Sequence, residues 1–174
     1  MIRSFDFDLR EFKAQNPSSL NVQLAFGVSH MEFNFVVKGE EPHRFPSLLS
    51  ENLRKRKDEL WKTDCFEIFW DYGGESYYEL NLSPLGHWQV YSFQSERKRR
   101  EEFDVHPPIL SSTIHPNGYS LVGRLQLDNQ NPTAPYKSHP CVILNDGPGG
   151  FRYYASSHPQ KAPDFHDKSH WKVL

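Results

Sequence analysis

Glu67, Tyr77, Glu79, Asn81, Gln89 and Tyr91 occupy alternate positions of three successive segments within residues 65–93. In a β-strand successive side chains point to opposite faces, so that spacing gathers the six on one side of a sheet. Carboxylates, amides and phenols together supply the donors and acceptors that a polar ligand needs. Two carboxylates on neighbouring strands also suit glycoside hydrolysis, which works with a separation of about 5 to 9 Å. Any acidic pair on adjacent strands meets that test, however, and no second hydrolytic signature accompanies this one. The same residues could equally form an internal hydrogen-bonded network that fixes the fold.

The elements that must position these residues follow from the turns. Segments 65–71 and 77–83 are joined by a short connection containing Gly73 and Gly74, which predicts an antiparallel hairpin. A turn centred on Gly74 sets Glu67 opposite Asn81, Phe69 opposite Glu79 and Asp71 opposite Tyr77. The turn Pro84-Leu85-Gly86 leads into 87–93 and sets Asn81 opposite Gln89 and Glu79 opposite Tyr91. One face then carries the polar set with Phe69. The other carries Phe66, Ile68, Trp70, Tyr78, Leu80, Leu82, Trp88 and Val90, which is a core face. A slip of one residue in any strand would exchange the two sets.

Further candidates lie outside this run. In 119–127, Leu121, Leu125 and Leu127 read as core, leaving Arg124 on the opposite face. Arg124 is either an ionic partner for a carboxylate such as Glu79 or an exposed arginine on a solvated face. His158 and the run Pro163-Asp164-Phe165-His166, with His170 nearby, could offer nitrogen and oxygen ligands to a divalent metal. No Cys or His pair has zinc-finger spacing, and the other reading makes His158 and His166 loop anchors whose ring nitrogens bond backbone.

Composition sets limits on function. The chain has 174 residues, enough for one domain with a full core, and a net charge of −2, which gives no footprint for nucleic acid or an anionic membrane surface. The basic runs 54–57 and 97–100 are each followed by acidic residues and read as solvated, self-compensated segments. No apolar stretch approaches the ~18 residues of a membrane span, and the first residues lack the apolar core of a leader, so the expectation is cytoplasmic, with export left open. Cys65 and Cys141, the two cysteines, sit in apolar strand-like runs and read as buried thiols. Haem is disfavoured: Met31 is the sole internal methionine and there is no C-x-x-C-H attachment. A nucleophile elbow, a phosphate loop and an H-E-x-x-H helix are also missing.

Aromatic residues make up 14% of the chain, which favours strands. Leu20, Val22, Leu24, Phe26 and Val28 alternate, and after Ser29-His30 the phase changes to Met31, Phe33, Phe35 and Val37, a second hairpin. Residues 45–60 could hold a short helix capped by Ser47 or Ser50, or an exposed loop, since the apolar stripe is thin. Strands are expected at 109–114, 119–127, 141–144, 151–156 after Gly147-Pro148-Gly149-Gly150, and 171–174. About nine or ten strands with little helix imply a single domain, 1–174, of all-β class: an antiparallel β-sandwich, jelly-roll-like.

The stretch Leu60-Trp61-Lys62-Thr63-Asp64-Cys65-Phe66-Glu67-Ile68-Phe69, followed by Tyr77-Tyr78-Glu79-Leu80-Asn81-Leu82-Ser83-Pro84, resembles the bacterial DOMON-like proteins related to family-nine carbohydrate-binding modules. The later runs Tyr153-Tyr154-Ala155-Ser156-Ser157-His158 and Ala162-Pro163-Asp164-Phe165-His166 resemble them too. The resemblance implies a non-catalytic β-sandwich that binds a carbohydrate, or in some relatives haem, in a pocket on one sheet face. In the family-nine modules tryptophans grip the sugar and polar groups fix its hydroxyls. Trp61 beside Glu67, with Tyr77 and Tyr91, would take those parts here, whereas Trp70 and Trp88 fall on the core face. Independently, pyranose rings stack their C–H faces on aromatic rings, and their hydroxyls suit a Glu/Asn/Gln/Arg/Tyr cluster. The expected partner is thus a carbohydrate or similar small polar ligand. The competing class is a structural or protein-interaction domain.

Overall fold

Residues 2–14, 19–27, 29–40, 44–100, 104–127, 134–148 and 150–174 are described by a computed structural model. The described residues form twelve strands: β1 (Arg3–Glu11), β2 (Ser19–Phe26), β3 (His30–Lys38), β4 (Cys65–Asp71), β5 (Tyr77–Leu82), β6 (Trp88–Ser95), β7 (Lys98–Arg99), β8 (Ile109–His115), β9 (Gly118–Gln126), β10 (Lys137–Asn145), β11 (Phe151–Ala155) and β12 (Lys172–Val173). One sheet runs β1-β2-β3-β9-β8 and the other β7-β6-β5-β4-β10-β11, with β12 beside β10. The pairs are antiparallel, and the end of β1 crosses to the second sheet, where Arg10 faces Ala155. The architecture is the expected antiparallel β-sandwich.

Alternation builds the core. Met31, Phe33, Phe35 and Val37 of β3 point inward, as do Phe66, Ile68 and Trp70 of β4. The two sheets meet where the Phe35 and Phe66 rings approach to 5.2 Å, and Phe45 stacks on Tyr119 at 4.7 Å. Side chains on both inner faces leave water together, the main favourable term in holding such a sandwich.

The strand count exceeds the nine or ten expected because β1 and β7 were not anticipated. In β1, Phe5, Phe7 and Leu9 alternate with Ser4, Asp6 and Asp8, and that pattern pairs in full with β2. The strand expected at 141–144 begins at Lys137 and runs through Pro140, a residue that ordinarily argues against a strand interior. Its ladder to β4 is continuous, whereas on its other side partners change from β12 to β11 around residues 139–140, where a missing donor matters least.

Residues 45–60 form no α-helix. The loop reading holds, with 3₁₀ turns at Glu51–Leu53 and Leu60–Lys62; Ser50 caps the first without a side-chain bond. Only Phe45 and Leu60 of this segment are buried, too little for a helix to pack upon. Backbone bonds from Lys57 to Trp88 (2.9 Å) and from Trp88 to Lys55 (3.1 Å) instead lay it along β6. Val28 and Gly149, expected in a strand and a turn, lie outside the described residues. Cys65 and Cys141 are buried and free. Among the described residues no helix is long and apolar enough to cross a membrane.

Phe33 and Gly123 face each other across β3 and β9, and the Phe33 ring fills the space a side chain at 123 would need. Gly123→Ala is therefore expected to lower stability by about 1–3 kcal/mol in denaturant melts. Phe33→Leu in the same chain should recover part of the loss. An unchanged midpoint for the single variant would contradict this packing.

Candidate functional site

The three-strand run pairs as expected: Glu67 with Asn81, Phe69 with Glu79, Asn81 with Gln89 and Glu79 with Tyr91. Those residues occupy the face of the second sheet turned away from the sandwich core. That face is not open to solvent. Leu60, Phe165 and Trp171 cover it, packing with Phe69, Tyr77, Tyr91 and Phe93 into a second, smaller apolar cluster.

The cover is fastened at several points. The Trp171 indole Nε1 donates to the Phe165 carbonyl at 2.9 Å, and Lys168 pairs with Asp71 at 2.5 Å. His139 lies buried beneath, its ring parallel to Trp171. Arg97 Nη2 reaches Asp164 at 2.7 Å, and the His166 amide donates to the same carboxylate at 3.0 Å. The Tyr77 hydroxyl accepts from the Arg97 amide at 3.0 Å and stands 2.7 Å from His166 Nδ1. Its own proton is thus free to go to Nδ1, which assigns the imidazole proton to Nε2, 3.8 Å from Glu79 Oε2.

Between sheet and cover lies a cavity of about 340 Å³. Glu67, Phe69, Glu79 and Phe93 line it from the sheet; Trp61, Ile143, Tyr153, Pro163 and Phe165 complete the apolar wall. Arg97, Arg99, Asp164 and His166 add charge and polarity. Of the residues singled out from sequence, Trp61, Glu67, Glu79, Asp164 and His166 meet here.

The others do not line the cavity. Tyr77 is buried and supports His166. Gln89 accepts from Arg56 Nε at 2.6 Å and donates to Asp58 at 3.3 Å, while the Tyr91 hydroxyl donates to Asp58 at 2.8 Å. Residues 54–59 therefore roof that end of the face, and Asn81 lies beneath, fully buried, with neither amide atom hydrogen-bonded. Arg124 stands on β9 in the other sheet, exposed, opposite Glu32 and Ile109. It does not partner Glu79, because β9 belongs to the sheet across the core. His158 Nε2 lies 2.8 Å from the Arg10 carbonyl, a backbone anchor.

Arg97 and Arg99 supply the cationic groups instead. Their signal lay in the basic run after β6: folding 98–99 back on that strand pairs Arg99 with Phe93 and brings it to the same face. The Arg99 guanidinium carbon lies 3.9 Å from the Tyr91 ring centre and 5.2 Å from that of Trp61, cation–π geometry. Phe93, Ile143, Tyr153 and Phe165 were read only as apolar strand or motif residues.

Burial governs the electrostatics. Glu67 and Glu79 are 3% and 4% exposed. Desolvation pushes the Glu79 carboxyl up to about 7, against the opposing pull of the nearby Asn81 amide, which stays outside hydrogen-bonding geometry, and of the Arg99 and Arg97 charges. Glu67 is raised well above the ordinary range by burial, then by the charge of Glu79. Burial lowers His166 to about 4, so near neutrality its ring is uncharged. The Cys65 and Cys141 thiols are pushed up by burial and by the two carboxyls. A carboxyl pair that keeps a proton near neutrality can both donate and accept hydrogen bonds. Among the described residues no three His, Cys, Asp or Glu side chains converge on a metal position.

No protein-family model matches the chain, and no curated protein matches it. Solved structures do share its fold. A candidate carbohydrate-binding protein from Bacteroides uniformis superposes with a TM-score of 0.70 at 13% identity, covering 99% of this chain and 85% of that one. A family 9 carbohydrate-binding module from Caldicellulosiruptor kristjanssonii in complex with cellotriose gives 0.57 at 12% identity, over 96% and 76%. A family 9 module from the same organism in complex with glucose gives 0.51 at 11%, over 95% and 79%.

The raised carboxyls have a stability consequence whose sign is fixed. The folded chain holds their protons at pH values where the unfolded chain has lost them, so the Glu79 contribution is complete below 4.5 and is lost as pH rises through about 7, and the Glu67 contribution has the same sign. His166 and His139 act oppositely: lowered by burial to about 4 and about 3, they contribute above 6.5 and lose that contribution as pH falls through those values. Comparing Glu79→Gln with wild type cancels the histidines. The variant is expected to gain on wild type as pH rises, by on the order of 3 kcal/mol at pH 8 relative to pH 4. Thermal melts at the two pH values check it, and a gap independent of pH would contradict it.

Proposed function

We propose that this chain is a non-catalytic module, related to the DOMON-like and family-nine carbohydrate-binding proteins, that holds a saccharide in the cavity over β4 and β5. The observation that carries this reading is the cavity's lining. Two buried carboxyls face Trp61, Phe93, Tyr153 and Phe165 across about 340 Å³, near the lower end of ligand-pocket sizes. Aromatic rings would stack on the C–H faces of a pyranose, and the carboxyls would bond its hydroxyls. The fold shared with sugar-bound family 9 modules supports the same class of ligand.

A purely binding role is favoured over hydrolysis by the state of the carboxyls. A retaining glycosidase needs one of the pair ionised as nucleophile and the other protonated as acid. Here burial raises both, and the opposing pulls of Arg99 and Arg97 still leave Glu79 at about 7, well above an ionised nucleophile's range. The competing structural reading applies to the other half of the face, where the Arg56, Asp58, Gln89 and Tyr91 network is covered by 54–59.

Calorimetric titration with glucose and cello-oligosaccharides tests the proposal. Binding is expected, and Trp61→Ala should weaken it about tenfold or more through loss of ring stacking. Arg124→Ala, on the far sheet, should leave it unchanged. Absence of binding to every saccharide by folded protein would overturn the proposal.

A further inference from the structure

We infer that the saccharide taken by this cavity is an amino sugar, its ammonium group seated between Glu67 and Glu79. The inference rests on the saccharide reading above and adds the ligand's charge.

Glu67 faces Asn81 and Glu79 faces Phe69, which makes the two glutamates diagonal neighbours on one face of the β4–β5 pair. Both line the cavity and are nearly fully buried. Among the described residues neither carboxyl has a lysine or arginine within ion-pair distance. Among the same residues Glu79 has His166 Nε2 at 3.8 Å, and Glu67 has no ion-pair contact. Two acidic groups so placed repel each other and lack the solvation that water would give them. Among the described residues no lysine or arginine sits close enough to form an ion pair that would balance the two carboxyls.

The other groups facing the pair do not change this. Cys65 and Cys141 are buried thiols beside them, and Tyr77 is a phenol committed to His166. Arg97 is held by Asp164 at 2.7 Å. Arg99 lies on the Tyr91 and Trp61 rings, and its charge acts on Glu79 from beyond ion-pair distance. A sugar hydroxyl can donate to one carboxylate but leaves the repulsion in place. An ammonium carries three donors and a full charge, enough to bridge both oxygen sets and release their retained protons. Phe69, Phe93 and Trp61 line the same cavity, and aromatic rings attract cations.

The test titrates the full chain at pH 7 with glucosamine, glucose, N-acetylglucosamine and cyclohexylamine. Glucosamine is expected to bind about tenfold or more tighter than glucose. N-acetylglucosamine, which lacks the charge, should gain nothing over glucose. Glu67→Gln and Glu79→Gln, either of which serves if the other fails to fold, should each weaken glucosamine by a larger factor than glucose. Equal affinities for glucose and glucosamine would overturn the inference and leave the saccharide reading intact. Cyclohexylamine binding without any sugar would overturn the saccharide part, and no binding by any probe would overturn both.

Discussion

Strand β4 is buried along its whole length on both faces, and the rest of the molecule is arranged around that condition. One face meets the inner side of the other sheet through Phe66, Ile68 and Trp70. The second face would be expected to be water-washed in a simple sandwich, yet here it is closed over by 54–62 and 163–171. Every polar group on that second face must then find a partner, border a cavity, or remain a cost to the fold. The three outcomes are divided among the residues. Gln89 and Tyr91 find partners, Glu67 and Glu79 border a cavity, and Asn81 is left with none.

The division between structural and ligand-facing polarity explains why one alternating pattern served two purposes. Asp58 receives the Gln89 amide and the Tyr91 hydroxyl, tying the loop before β4 to β6. The carboxyls toward the other end of the face lie under the 163–166 segment, which leaves a cavity above them. Their surroundings are rings and two guanidiniums, one tied to Asp164 and one lying on Tyr91 and Trp61. Such a site leaves its acidic groups partly protonated and without a cation of their own among the described residues. Low local dielectric strengthens any donor that reaches them.

Much of this could be read before the fold was known, for physical reasons that differ by residue. The register of β4, β5 and β6 followed from short glycine-containing turns, which leave little freedom in pairing, and the two faces followed from the register. Trp61, Glu67, Glu79, Asp164 and His166 were found because strand alternation and motif order placed them near one another. Arg124 was misplaced because alternation assigns a residue to a face but says nothing of which sheet the strand joins. Arg97 and Arg99 were passed over because a basic run beside acidic residues looks solvated until the tight hairpin at β7 folds it back. The cover over Asn81, Gln89 and Tyr91 was hidden because 54–59 has almost no apolar residues and is held by backbone bonds to Trp88, which leave no pattern in side chains.

The central claim is that the cavity between β4–β5 and the 163–166 segment is where this protein takes its ligand. A crystal structure of the chain soaked with glucosamine tests it most directly. The account predicts density for one sugar ring beside Trp61, with its nitrogen within hydrogen-bonding distance of both Glu67 and Glu79. An empty cavity at saturating sugar, or a ring bound only on the outer face of the other sheet, would contradict it.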